Sequence, residues 1–240
     1  MSFTLGNTGR VLANEVAVSG TVAGYAVSHS RAMGDTTVLL DSGNRFVPGL
    51  MSGTLTLRGP QDSTGQSLHA EIEAAKGVDN NLLLTVCPYG TAIGLFSITA
   101  VGDLSEHTVD ASVSDAVGFS MTTTADESCD MGFIVHALGA ETVDGNGTAV
   151  DRGSGSTTTG GGVAALHATA YSGLTNAAIK VQHSTDNSVW ADLTSFTTIT
   201  AIGSERKTLA AGTTINRYVR VVTDVTGTGS VTFLVAFSPR

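Results

Sequence analysis

The sequence predicts a mainly β protein: an N-terminal antiparallel sandwich or barrel with one α-helix, then a small C-terminal sandwich of jelly-roll type. Three observations carry this. The first is composition: 240 residues with 29 Gly, 4 Pro and only 5% aromatics suit many short strands, tight turns and a core of small β-branched side chains. The second is periodicity, because one helical pattern stands among many runs that alternate polar and apolar residues. One helix among many strands favours an antiparallel architecture over a βαβ sheet. The third is the run Gly153 to Gly162, which holds only Gly, Ser and Thr and offers no side chain to bury. It divides the chain into residues 1–150, a linker at 151–162 and a second unit at 163–240. An exposed linker is the expected first site of proteolysis, with Arg152 at its edge.

In chain order, Thr21 to Arg31 reads as a strand and Val38-Leu39-Leu40 as another. Gly43-Asn44 and Pro48-Gly49 break the chain before Thr54–Arg58, whose Thr-Leu-Thr-Leu alternation marks a half-buried strand. Ser63 and Gln66 form a capping box. Leu68, Ile72 and Ala75 then recur at helical spacing, Glu71 and Glu73 face out, and Gly77 sits where a left-handed C-cap belongs. Further strands are expected at Leu82–Cys87, Gly94–Val101, His107–Val113, Val117–Thr122 and Gly132–Ala137. The second unit reads as Val163–Tyr171, Ala178–His183, Phe196–Thr200, Glu205–Leu209, Arg217–Thr223 and Ser230–Phe237. Its turns fall at Asn176, Asp186-Asn187, Gly212 and Gly227-Thr-Gly229. Within Arg217–Thr223, Val219, Val221 and Thr223 share a face with Arg217, opposite Tyr218, Arg220 and Val222.

The chemistry is sparse. No nucleophile elbow, zinc-protease, phosphate-loop or Cys-x-x-Cys motif occurs, so no enzyme, cofactor or metal is expected. Cys87 and Cys129 match no metal spacing and read as buried reduced thiols, with a disulfide as the other reading. His29, His136, His167 and His183 lie in strand-like stretches, where satisfied or solvent-facing imidazoles outnumber ligands. Trp190, the one Trp, follows an Asp-Asn turn and reads as core filling, with a sugar-stacking platform as the other reading. No apolar run approaches the ~20 residues of a membrane span, and Met1–Gly6 lacks the features of a signal peptide. Charge is uneven. Residues 1–150 hold 16 Asp and Glu against 5 Lys and Arg, a net of −11, while residues 151–240 hold 5 against 7, a net of +2. An acidic half argues against a surface that grips a phosphate backbone.

Three phrases carry a family resemblance. "RFVPGLMSGTLTLRG", from Arg45 to Gly59, resembles the tail tube proteins of long-tailed bacteriophages. "VQHSTDNSVWADL" and "INRYVRVVTDVTGTGSVTFLVAF" resemble C-terminal β domains of phage virion proteins. The likeness spans roughly Val18–Ala137 and Val163–Arg240. It implies a tail tube subunit that forms hexameric rings, stacked into a conduit through which genomic DNA passes without specific binding. Neighbouring subunits would pair strand to strand into one inner barrel, with the helix at Gln66–Lys76 outside. Residues 1–17 would form an arm, and Met33–Gly49 an inter-ring loop with Asp35, Asp41, Arg45 and Phe46 as candidate contacts. Asp103, Glu106, Asp110 and Asp115 are the candidate lumen carboxylates, which would repel DNA. Implied partners are further copies of the chain and other tail proteins, in a virion assembled in the bacterial cytoplasm. The alternatives are a capsid-decorating or neck subunit, or a carbohydrate-binding adhesin module using Trp190.

Overall fold

The computed structural model describes residues 8–20, 22–40, 42–61, 67–111, 116–127 and 129–240. The strands are β1 (Arg10–Ala13), β2 (Val16–Ala17), β3 (Gly24–Asp35), β4 (Phe46–Pro60), β5 (Leu82–Cys87), β6 (Phe96–Asp110), β7 (Gly118–Ala125) and β8 (Asp130–Glu141). They continue with β9 (Gly145–Asn146), β10 (Val150–Asp151), β11 (Ser156–Thr157), β12 (Gly162–Ser184), β13 (Ala191–Ser195), β14 (Gly203–Leu209), β15 (Thr214–Ile215) and β16 (Tyr218–Pro239). The helix α1 spans Ser67–Ala75. The expected mainly β class with one short helix is what the described residues form.

The strands make one 14-stranded antiparallel sheet and a small β11–β15 pair. Its long path runs β13-β12-β16-β8-β6-β5-β1-β2, and a branch β3-β4-β7 joins at β6. The two halves of the chain are therefore stitched together, because β16 lies between β12 and β8. Two cores persist within this sheet. One gathers Val11, Leu55, Leu57, Ile72, Leu84 and Met121. The other gathers Leu166, Ile179, Val181, Val221, Phe233 and Phe237, together with Val135 from β8. A smaller cluster of Leu12, Cys87, Ile134, Leu234 and Ala236 bridges them.

Several expectations are corrected by this backbone. Residues 151–162 are not a bare linker. Asp151 pairs with Tyr218, Ser156 and Thr157 pair with β15, and the Arg152 guanidinium donates to the carbonyls of Ile215 and Asn216. Backbone hydrogen bonds hold this stretch where apolar burial does not. The described part of the 1–17 arm is likewise folded in. Val11, Leu12 and Ala13 are buried, and β1 pairs with β5.

Pro48-Gly49 does not break β4. There, among the described residues, β4 has β3 alone as neighbour, since β7 meets it only from Gly53 onward, and a strand with one open side accepts proline. Val38–Leu40 is not a strand but the exposed tip of the β3–β4 hairpin.

The turns expected at Asn176 and Gly227–Gly229 are bulges inside β12 and β16, where the register shifts around Ser172, Leu174 and Asn176. Gly227 sits there at φ +102°, and a Cβ on Gly229 would fall 1.9 Å from the Ser172 carbonyl oxygen. Phe196–Thr200 is a loop with one bridge, Ala177 to Ile199.

The helix buries Leu68, Ile72 and Ala75 and ends at Gly77, with φ +71°. The capping box lies outside the described residues. Glu71 faces inward, accepting from Asn14 Nδ2 at 2.6 Å, and burial pushes its carboxyl up.

Candidate functional site

The layer β3-β4-β7-β6 organises the site. Leu55, Leu57, Phe119 and Met121 turn one of its faces into the N-terminal core. Because side chains alternate, their neighbours form the opposite face. The register places Gly24, Arg58, Ser120 and Thr108 in one row. The next row holds Ala26, Thr56, Thr122 and Glu106, followed by Ser28, Thr54, Thr124 and Asp103. This second face is almost wholly hydroxyl and carboxylate. Ser28 and Thr54 meet at 2.7 Å, Ser30 and Ser52 at 2.7 Å, and Thr56 and Thr122 at 3.2 Å. Among the described residues Arg58 is the one Lys or Arg on it.

Three of the four candidate carboxylates, Asp103, Glu106 and Asp110, stand together on this face along β6. A bulge at Ser105, between Leu104 and Glu106, keeps Glu106 and Asp110 on the same side as Asp103. Asp103 also accepts from the Asn80 backbone N–H at 2.6 Å. Asp115 lies outside the described residues.

Among the described residues the layer has two open edges. β3 pairs only with β4. On β6, Gly102 has Leu82 on one side and Ala125 on the other, and beyond it Asp103–Asp110 pair only with β7. Unpaired edges are templates for another strand.

Beyond the reach of β7, β3 and β4 continue as a two-stranded ribbon. Met33, Val38, Leu39, Leu40, Phe46, Val47, Leu50 and Met51 are all exposed on it, Leu39 and Leu40 almost fully. An isolated two-stranded ribbon is marginal in water, and clustered exposed apolar side chains mark a contact surface. The candidate inter-ring residues Asp35, Arg45 and Phe46 sit at its end. Asp35 accepts from the Thr37 backbone N–H at 2.9 Å and its hydroxyl at 2.5 Å, which lowers its pKa. The Arg45 backbone N–H donates to Thr37 Oγ1 at 2.9 Å, closing the hairpin end. Asp41 lies outside the described residues. The exposed Leu39, Leu40 and Leu50 went unrecognised in the sequence, where alternation and Pro-Gly suggested a strand and a break.

Behind this layer, His167 fastens the two halves. It is fully buried. Its Nδ1–H donates to the Asn14 carbonyl at 2.6 Å, and its Nε2 accepts from the Thr85 hydroxyl at 2.7 Å. Burial pushes its pKa down to about 4, so it is neutral at pH 7. Cys87 and Cys129 are buried free thiols, and burial raises their pKa to about 12 and about 11. Trp190 is not core: it is half-buried at the surface with the Arg220 guanidinium 4.1 Å over its ring, and Arg220 is held by Gln182. Among the described residues no cluster of three or more His, Cys, Asp or Glu is arranged to hold a metal. No helix among them is long and apolar enough to cross a membrane.

No protein-family model matches the chain, and no curated protein matches it in sequence. Among solved structures it is similar to a chain from the virion of a native gene transfer agent particle. The identity is 10% and the TM-score 0.41, covering 55% of this chain and 98% of that one. It is also similar to a chain from the tail of an empty gene transfer agent particle with C6 symmetry, at 11% identity and TM-score 0.37, covering 47% and 81%. The SPP1 Dit protein, described as a hub adsorption apparatus in phages infecting Gram-positive hosts, is similar at 10% identity and TM-score 0.37, covering 95% and 98%.

Proposed function

We propose that the chain is a structural subunit of a phage tail, a tail tube protein whose copies form stacked rings around a conduit for genomic DNA. The observation that carries this reading is the projecting β3–β4 ribbon. Burying Leu39, Leu40 and Leu50 alone is worth roughly 5 to 9 kcal/mol, and nothing in the described chain covers them. Stacked rings supply every ribbon with an identical partner.

The open edges support the same assembly. In the order β3, β4, β7, β6 each strand runs opposite to the last. Four strands are an even number, so in a cyclic ring β6 of one copy meets β3 of the next in antiparallel pairing. The sheet then closes without a free edge. The hydroxyl-and-carboxylate face becomes one wall of the ring and the helix lies on the other side. Facing the axis, Asp103, Glu106 and Asp110 repel phosphate and let DNA slide through water. Hexameric rings, contacts to other tail proteins and assembly in the bacterial cytoplasm belong to the same reading.

Negative-stain imaging of the purified chain across a concentration series tests it. Rings or open-ended tubes are expected. Dispersed monomers at every concentration would refute it.

A further inference from the structure

Resting on this ring reading, we propose that Arg58 is the intersubunit clasp, reaching over the β3 edge of its own copy to Glu106 and Asp110 on the β6 edge of the next. Arg58 is exposed, and while its backbone carbonyl accepts from the Ala23 N–H at 2.9 Å, its guanidinium has no hydrogen-bond or ion-pair partner among the described residues. It stands opposite Gly24 on β3. A Cβ built on Gly24 would lie 3.0 Å from Arg58 Nε and 3.7 Å from Nη2. The guanidinium therefore lies across the β3 backbone, in the space Gly24 leaves empty, and points to the open edge. A side chain at position 24 would obstruct it.

The opposite edge of the layer carries the complementary charge. Glu106 and Asp110 lie on the same face as Arg58, and their carboxylates have no hydrogen-bond or ion-pair partner among the described residues. In the row of Gly24, Arg58 and Ser120 the β6 residue is Thr108, which Glu106 and Asp110 flank on the same face. Antiparallel closure keeps the polar faces of neighbouring copies continuous. A closure in that row, or one displaced by a two-residue step, brings the guanidinium of one copy against a carboxylate of the next. The partner is a second copy of this chain, chosen by charge complementarity between its two edges.

The test uses the full chain in four forms: wild type, R58E, G24V and the triple variant R58E/E106R/D110R. Assembly onset is read by sedimentation velocity with negative-stain imaging, and retention of fold by thermal melting. R58E sets like charges against each other, and its onset is expected at roughly tenfold higher protein concentration. G24V, which displaces the guanidinium without changing charge, shifts onset in the same direction. The triple variant recovers the wild-type onset. Should wild type form rings while R58E assembles equally well, or the triple variant fail to recover, the clasp is wrong and the tube reading stands. Absence of rings from the wild type overturns both.

Discussion

Replacing His167 by Leu is expected to change both stability at pH 7 and its dependence on pH. The imidazole satisfies the Asn14 carbonyl and the Thr85 hydroxyl in a fully buried setting. Leucine leaves both groups bereft of this partner, at a cost of about 1–3 kcal/mol each, with Thr85 partly relieved by Thr99 at 3.2 Å. A loss of about 2–4 kcal/mol at pH 7 follows. The pH dependence has a definite sign. The folded pKa, about 4, lies below the ordinary 6.5, so on acidification the unfolded chain takes up this proton first. Protonation of His167 contributes nothing above pH 6.5, and the wild type loses stability through it as pH falls from 6.5 towards 4. At about 1.4 kcal/mol per pH unit the loss reaches about 2 kcal/mol by pH 5 and roughly 3 kcal/mol by pH 4. Leucine has no proton to bind, so its variant lacks this component while sharing every other titration. Urea unfolding of both proteins at pH 7, 6 and 5, below the concentration of assembly, measures the difference. The stability gap should narrow by about 2 kcal/mol between pH 7 and pH 5. A gap that stays constant across that range would refute the assignment of a buried neutral imidazole.

Other expectations follow from the same geometry. L39D/L40D should abolish self-association by sedimentation velocity while leaving the monomer's melting temperature unchanged, because both side chains are fully in solvent. R240A removes the bidentate partner of Asp130, whose side chain is 4% exposed, and should cost about 2–4 kcal/mol in urea unfolding, with Arg206 at 3.8 Å limiting the loss. Limited trypsinolysis of the unassembled chain should cut first after Arg31 or Arg45 on the ribbon, and only slowly after Arg152, whose backbone N–H and side chain are both tied to the β15–β16 region. T56K/T122K places cations mid-way across the polar face. Tubes should still form and should retain DNA in a salt-sensitive manner by co-sedimentation, whereas DNA-free tubes would place this face away from the lumen.

Fold class was legible because alternation survives in single segments. Leu55 and Leu57 in β4, and Val219 and Val221 in β16, bury the face their spacing predicts. The helix was legible from Leu68, Ile72, Ala75 and Gly77. Strand length was not. Glycine in a sequence marks a turn and a bulge equally, and only a paired neighbour decides; around Gly173 and Gly227 the β12–β16 pairing runs on through both. The apparent linker misled for a related reason, since main-chain hydrogen bonds leave no trace in composition. Of the site, the acidic bias of residues 1–150 was visible, but the common face of Asp103, Glu106 and Asp110 depends on the bulge at Ser105. Arg58 escaped notice because its role depends on Gly24, 34 residues away in sequence. Trp190 was misplaced because the second core is filled by Phe233, Phe237 and aliphatic residues.

The position of β16 between β12 and β8 constrains the order of events during synthesis. It is the last described strand to leave the ribosome, yet it fills the middle of the sheet. Until it arrives, β8 lacks its longest partner, and Arg240 has not reached Asp130. Non-local pairing of this kind is slow. The layer β3-β4-β7-β6 pairs within itself without β16, so it is the junction between the two halves, not this layer, that waits for the last strand. A product truncated before β16 leaves β12 and β8 without the strand that joins them, so the two halves stay divided until the entire described chain has been translated.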